Sequence, residues 1–474
     1  RSTDSPFAST DMTLRIDYTN MMGDVIDGGI AAGDWASAPD AFRRAHTGFN
    51  RHRDAGDLGF LALPTDEALH RQSTDFAATA RGKFDDVVVL GIGGSALGPI
   101  ALRTALLKPA WNTLSASERG GQPRLHVLDN VDPHTISALL GRLSLDRALF
   151  VVTSKSGGTA ETMAQYLIVR ERLIEAKVDA RANVVFVTDP KKGALREIAN
   201  EERIAALDIP PAVGGRYSVL TPVGILPAAL VGIDTGQLLA GAGEIAERCR
   251  TAGDNLTQNS AGVFATLQHL ADTKLGRHIH VLMPYSDPLR DVADWFVQLW
   301  AESLGKHRTP GDRGAGPTPL GALGATDQHS KVQLFMEGSP DKTVTFIAVG
   351  DGGADLTIPK LHSNVKELGY LGGHQLGELL SIEQRATAGA LARRGRPNMT
   401  IHVDRVDAWH LGALFMLLEI ATIYAGELYG VNPLDQPGVE LGKQFTYAML
   451  GRPDAEQARQ EWNLLPKPDA RYSV

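Results

Sequence analysis

Short β-rich apolar runs that break into a glycine or hydroxyl turn and then into helical periodicity recur along this chain. That recurrence constrains its fold more than any other feature. The fullest instance is Leu149-Phe150-Val151-Val152-Thr153-Ser154-Lys155-Ser156-Gly157-Gly158-Thr159-Ala160-Glu161-Thr162. The first residues read as a buried strand, and the pattern after Thr159 is helical through Glu161, Met163, Tyr166, Leu167 and Arg170. A strand, a Ser/Thr/Gly turn and a helix start make an anion cradle. The first helical turn leaves backbone N–H groups unpaired, and the helix dipole places partial positive charge there. Ser154, Ser156 and Thr159 add hydroxyls, Lys155 adds a charge, and Gly157 and Gly158 let the backbone approach a ligand. No Walker pattern is present. The plain alternative is an ordinary N-capped helix after a strand.

The same alternation appears elsewhere. Asp86–Leu90 runs into Gly91-Ile92-Gly93-Gly94-Ser95-Ala96-Leu97-Gly98 and a helix through Leu107. Arg124–Leu128 is followed by a helix over Pro133–Arg142, and a helix to Lys177 by the strand Asn183–Thr188. A second block begins near Asn255, with strands at His278–Met283, Thr343–Val349 and Met399–Val403 and a helix over Leu289–Leu304. Apolar strands alternating with helices predict parallel sheets covered on both faces. Asp40–Thr79 reads as a helical lead-in. Trp409–Tyr429, apolar almost all round, reads as a buried core helix. Lys306–Gly324 is a Gly/Pro loop much longer than a typical connection, which suits a functional loop or lid.

With 474 residues the chain is long enough for two or three domains and a large core. A net charge of -8 gives no case for nucleic acid or an acidic membrane surface, although a local cradle can still hold a small dianion. Cys249 is the only cysteine, so no internal disulfide forms, and a reducing, cytoplasmic setting is expected. No apolar run is expected to span a membrane. The start, Arg1-Ser2-Thr3-Asp4-Ser5-Pro6, has no hydrophobic signal core and no initiator Met, and the first dozen residues read as a linker.

Each remaining candidate residue has two readings. Gly91-x-Gly93-x-x-Ala96 matches a dinucleotide fingerprint, which keeps an NAD-dependent enzyme as a competitor. That fingerprint wants an acid about 20 residues on for the ribose. Glu118 lies in loop-like sequence, and Asp129, the first acid on a strand end, is far along. A loop touching a phosphate or sugar, with Gly94 and Ser95 at its tip, is favoured. Glu302 follows Trp295, Phe296 and Trp300 just before Gly305. It is either a solvated helix end or a functional acid. His329, at the far end of the long loop, is a surface residue unless the fold brings it to a site. It has no metal-ligand spacing around it. Gln436 and Lys443 stand about two turns apart, on one face if the segment is helical. Arg216, between Gly215 and Tyr217, is a turn arginine or a guanidinium held near a developing oxyanion.

Six stretches together resemble the glucose-6-phosphate isomerase family in its compact bacterial form. They are Gly91–Pro99, Ser154–Thr162, Gly214–Ser218, Trp300–Lys306, Gly324–His329 and Asp435–Lys443. They stand in the family's order over roughly residues 85 to 445. The resemblance implies an α/β fold of two sugar-isomerase (SIS)-type subdomains, each a parallel-sheet α/β/α sandwich, with an N-terminal helical lead-in and a C-terminal helix. The expected division is 1–80 linker and lead-in, 81–235 first subdomain, 236–430 second subdomain and 431–474 C-terminal helical segment. It implies a homodimer with shared active sites and no metal or organic cofactor. The implied reaction, the interconversion of glucose 6-phosphate and fructose 6-phosphate, serves glycolysis and gluconeogenesis. By motif position Ser154, Ser156 and Thr159 match phosphate-binding hydroxyls, with Gly94, Ser95 and Lys155 nearby, and Glu161 and Gln436 match sugar contacts. Glu302 matches the base, His329 and Lys443 the ring-opening pair, and Arg216 the stabiliser of the intermediate. Some relatives carry this domain behind a transaldolase, an arrangement compatible with the linker-like start. A non-catalytic sugar-phosphate-binding module on the same fold is the competing reading. It would need the hydroxyl cradle but not Glu302, Arg216, His329 and Lys443 together.

Overall fold

The structure, a computed structural model, describes residues 14–474; the linker expectation for the first dozen residues lies outside them. In chain order the strands are β1 (Leu14–Asp17), β2 (Asp86–Leu90), β3 (Arg124–Leu128), β4 (Ala148–Ser154), β5 (Val184–Thr188), β6 (Ala205–Asp208), β7 (Ile279–Pro284), β8 (Thr318–Gly321), β9 (Lys342–Asp351) and β10 (Asn398–Arg405). They form two five-stranded sheets, ordered β3-β2-β4-β5-β6 and β1-β10-β9-β7-β8. All pairings are parallel except that of β1 with β10.

The first sheet shows why its strands read as continuous apolar runs. Val88, Leu90, Phe150 and Val152 face one core, with Ile136, Tyr166, Val169, Leu173 and Leu195 from the covering helices. Val87, Val89, Leu149 and Val151 face the other, with Val223, Leu226 and Leu230. A strand alternates its side chains between faces, so a sheet covered twice needs apolar residues at every position. Each large side chain so buried contributes roughly 1.5–3 kcal/mol.

The second sheet packs Val281, Met283, Val344 and Phe346 against Phe335, Ala388 and Leu391 on one side. Trp300 of the helix Arg290–Leu304 is fixed to this sheet by a hydrogen bond from its indole N–H to His280 Nδ1 on β7, at 3.2 Å. Accepting that bond requires an unprotonated nitrogen, and burial keeps the ring neutral by pushing its pKa down to about 3.

Several expectations are corrected. The lead-in is helical over Ala32–Asp54 and Glu67–Ala80, but it starts as a strand, β1, on the edge of the second sheet. The long segment Lys306–Gly324 is not all loop, because β8 lies within it and pairs with β7. Before β8 the segment is organised around Asp312, which accepts from the backbone N–H of Arg308 at 2.9 Å and of Gly314 at 2.8 Å. The helix Leu376–Arg393, unread in the sequence, covers the second sheet. The helix Ala408–Tyr429 is, by length and composition, apolar enough to cross a bilayer, against the expectation that no run would be. It lies in the protein interior instead, with Leu411 through Ala425 buried without a break, as the core-helix reading requires.

The chain divides into two compact units, one ending at Pro433 and one spanning Leu434–Val474. The second unit pairs the helices Glu440–Met449 and Glu456–Asn463 around Ala448, Ala455 and Ala458, with Phe445 edge-on to Trp462.

Candidate active site

Two turns at the carboxyl ends of neighbouring strands begin the site. β2 leads to β3 on one side of itself, and the chain then returns to β4 on the other side. The crevice between β2 and β4 is therefore a topological switch point, where open α/β sheets bind ligands.

The turn after β4 carries the hydroxyls. Ser154 Oγ lies 2.9 Å from Thr159 Oγ1 and 3.4 Å from Ser156 Oγ, and Ser156 Oγ lies 3.4 Å from Thr159 Oγ1. Thr159 occupies the N-cap position of the helix Ala160–Glu175, yet its side chain makes no capping bond. An ordinary N-cap spends its oxygen on the N2 or N3 N–H. Here the oxygen joins two other hydroxyls, and the three converge at the start of the helix. Gly157 sustains the turn at a φ of +66°, and a Cβ there would press on the backbone of Gly193. Glu161 stands in the first helical turn. The Lys155 ammonium donates to the Pro211 carbonyl at 2.8 Å, and burial lowers its pKa against the pull of Asp189.

The turn after β2 is a single 3-10 turn, Gly93–Ser95, leading into the helix Leu97–Leu106. A Cβ on Gly94 would collide with the backbone of Gly215 and Arg216, so a glycine there lets the two loops touch. Ser218 Oγ, 2.6 Å from the Gly215 carbonyl, braces the second loop. This contact brings the β2 turn beside Arg216.

Arg216 sits in the turn Gly215–Tyr217 with only 3% of its surface exposed. Its Nε donates to Ser303 Oγ at 2.6 Å and its Nη2 to the Pro433 carbonyl at 2.6 Å. Its Nη1 stands 3.6 Å from Glu302 Oε1. Glu302, whose side chain is 24% exposed, also accepts from Gln298 Nε2 at 3.0 Å, one helical turn back. The fold thus brings together Arg216, Glu302 and the β2 turn with Gly94 and Ser95. A partly exposed carboxylate beside a buried guanidinium can accept a proton next to a fixed positive charge that stabilises the resulting anion.

His329 is exposed at the end of the turn Thr326–Gln328, and its ring makes no hydrogen bond or ion pair among the described residues. Gln436 and Lys443 lie in the second unit. They do not share a helical face as expected: Gln436 precedes the turn Pro437–Val439, whereas Lys443 is inside the helix Glu440–Met449 and pairs with Glu440 at 2.9 Å. Among the described residues no group of three or more His, Cys, Asp or Glu side chains is placed to hold a metal ion. Gln298, Ser303 and Tyr217 were not read as site residues. In the sequence Gln298 stands four residues from Glu302, and Tyr217 and Ser303 lie inside the matched stretches Gly214–Ser218 and Trp300–Lys306.

This is a two-sheet α/β architecture whose all-parallel first sheet carries hydroxyl- and glycine-rich turns at the carboxyl ends of β2 and β4. A crystal structure of a hypothetical protein from Thermus thermophilus shares it with a TM-score of 0.82, at 36% identity, covering 93% of this chain and all of that one. A glucose-6-phosphate isomerase from Chlamydia trachomatis shares the fold with a TM-score of 0.70, at 24% identity, over 90% of this chain and 81% of that one.

The family model described as phosphoglucose isomerase matches residues 68–464. A glucose-6-phosphate isomerase from Rubrobacter xylanophilus is 48% identical over 83% of this chain and 89% of its own length. One from Carboxydothermus hydrogenoformans is 43% identical over 95% and 97%. The chain belongs to the phosphoglucose isomerase family.

Proposed function

We infer that this protein interconverts glucose 6-phosphate and fructose 6-phosphate. The observation that carries the inference is the 3.6 Å pairing of Glu302 with the buried Arg216, beside the glycine turn of the switch point. The phosphate is bound by Ser154, Ser156, Thr159 and the helix start, with Gly94, Ser95 and Lys155 alongside. It takes no part in the chemistry and supplies binding energy that positions the reacting carbons. Glu161 and Gln436 contact the sugar. His329 and Lys443 open the ring by moving a proton between the anomeric hydroxyl and the ring oxygen, a step that a histidine suits near neutral pH. Glu302 then takes the proton from carbon 2. The electron pair left behind forms the carbon 1–carbon 2 double bond and moves charge onto the carbonyl oxygen. Arg216 stabilises that enediolate. Returning the proton to carbon 1 while the proton on oxygen 2 passes to oxygen 1 gives the ketose. The roles of Glu302, His329, Lys443 and Arg216 rest on their matching motif positions, with the Glu302–Arg216 geometry in support.

The reading includes a cytoplasmic homodimer in which His329 of one chain serves the site holding Glu302 of the other. It rests on the resemblance and on the exposed position of His329. Mixing Glu302→Gln with His329→Ala chains tests the sharing. One site of each hybrid would be whole, so about a quarter of parent activity should return when subunits exchange freely. No recovery from confirmed hybrids would place both residues in the same chain's site.

The reaction itself is tested by converting fructose 6-phosphate with and without a chelator, then measuring glucose 6-phosphate with a dehydrogenase after quenching. Turnover in both samples is expected. Sugar-phosphate binding without turnover would instead favour the non-catalytic module.

A further inference from the structure

Arg216 is held by hydrogen bonds whose direction can be worked out proton by proton. A guanidinium only donates, so Arg216 Nε gives its proton to Ser303 Oγ at 2.6 Å and Nη2 gives one to the Pro433 carbonyl at 2.6 Å. The Tyr217 hydroxyl also reaches that carbonyl, at 3.2 Å, and a carbonyl only accepts, so the phenol proton points there. Ser303 and Tyr217 share a hydrogen bond of 3.0 Å. With the phenol proton already committed, the serine proton must point at Tyr217 Oη. Each hydroxyl thus donates once, Ser303 to Tyr217 and Tyr217 to the Pro433 carbonyl.

The three side chains are almost fully buried: Arg216 at 3%, Tyr217 at 1% and Ser303 at 0% exposure. Phe60 stacks on the Tyr217 ring with centroids 5.2 Å apart, and burial raises the phenol pKa to about 12, so it stays a donor at any working pH. Ser303 also follows Glu302 directly in the chain. One residue therefore ties the carboxylate's helix to the guanidinium that faces it.

We propose that Ser303 and Tyr217 are positioning residues that fix the Nε–Nη2 edge of Arg216 and so aim its Nη1 at the reacting oxygens. The proposal rests on the isomerase reading. It assigns the pair a part in stabilising the anionic intermediate and none in holding the neutral sugar or the phosphate. Loosening Arg216 should then weaken binding of the charge that develops during the reaction and leave ground-state binding nearly intact.

Two competitive inhibitors separate these effects. An aldonic acid phosphate presents a planar carboxylate in place of the enediolate. A polyol phosphate presents the same phosphate and hydroxyls with no charge at the reacting end. Ser303→Ala should weaken the aldonic acid phosphate about tenfold or more and the polyol phosphate less than about threefold. It should lower kcat about tenfold with KM within about threefold. Tyr217→Phe, which keeps the ring and removes the relay hydroxyl, should show the same selectivity to a smaller degree. It carries the test alone if Ser303→Ala does not fold. Equal weakening of both inhibitors, or of neither, in a parent that isomerises overturns the positioning proposal and leaves the reaction standing. A folded parent that binds both inhibitors but does not turn over sinks the isomerase reading, and this proposal with it.

Discussion

Replacing Thr159 by Val keeps the β-branched shape and removes one oxygen, which separates two explanations of the turn after β4. If Thr159 were an ordinary N-cap, losing its oxygen would cost about 1 kcal/mol of stability and leave substrate binding alone. The structure gives that oxygen no capping bond and places it 2.9 Å from Ser154 Oγ. Ser154 keeps a hydroxyl neighbour in Ser156 at 3.4 Å when Thr159 is changed, so the fold should lose little. A hydrogen bond to a charged group contributes about 1.5–3 kcal/mol, and about 1.4 kcal/mol is tenfold in an equilibrium constant. KM for fructose 6-phosphate should rise roughly 10- to 100-fold in Thr159→Val, with a smaller change in kcat. Inorganic phosphate should compete with substrate in the parent and compete more weakly in the variant. A KM within twofold of the parent, together with a lowered denaturation midpoint, would show that the hydroxyl cluster is only a helix cap.

Two further outcomes concern stability. Asp86 receives Arg124 Nε and Nη2 at 2.6 Å each and has His126 Nε2 at 2.9 Å. Burial pushes its pKa up, but those two partners outweigh burial and hold it at about 2, below the ordinary 3.8. Its stabilising contribution, about 2 kcal/mol, is present above pH 4 and lost as pH falls towards 2, so Asp86→Asn should lower the urea midpoint at pH 7 and converge on the parent in acid. Glu419 is fully buried, and neither carboxylate oxygen has a hydrogen-bond partner, so burial raises its pKa well above 4.5. The folded state keeps the proton while the unfolded chain loses it, so its contribution is fully present below about pH 4.5 and declines as pH rises. Glu419→Gln cannot ionise and should gain stability relative to the parent between pH 5 and pH 8, and a constant difference over that range would contradict the buried neutral acid.

Every central strand was legible in the sequence, whereas of the four edge strands only β3, Arg124-Leu125-His126-Val127-Leu128, was. The central strands of the first sheet, apolar on both faces, announce themselves, and those of the second sheet are rich in Val, Ile, Thr and Phe. The three missed strands, β1, β6 and β8, are all edge strands. β6 is Ala205-Ala206-Leu207-Asp208 and β8 is Thr318-Pro319-Leu320-Gly321, compositions with little intrinsic preference for a strand. An edge strand bonds on one side only, so it tolerates Pro and Gly and carries a weak signal. The site divides in a similar way. The cradle was readable because its hydroxyls are close in sequence and a helix start follows them. Ser303 and Tyr217 lie within recognisable motifs, but what each does depends on a guanidinium and a carbonyl brought in from distant parts of the chain. Gln436 and Lys443 show the opposite error: their spacing suggested a shared helical face, and the turn at Pro437 breaks it.

The most direct test of the account measures hydrogen exchange at carbon 2 alongside turnover in Glu302→Gln. Glutamine keeps the shape of the side chain and can still hydrogen-bond Gln298, but it cannot take a proton. Loss of a positioned general base costs about two to four decades in rate. The variant should bind fructose 6-phosphate almost as the parent does, lose that much in kcat, and no longer exchange the carbon 2 hydrogen of glucose 6-phosphate with solvent. A variant that isomerises within a few-fold of the parent and still exchanges that hydrogen would place the base elsewhere, with Glu161 the next carboxylate to test.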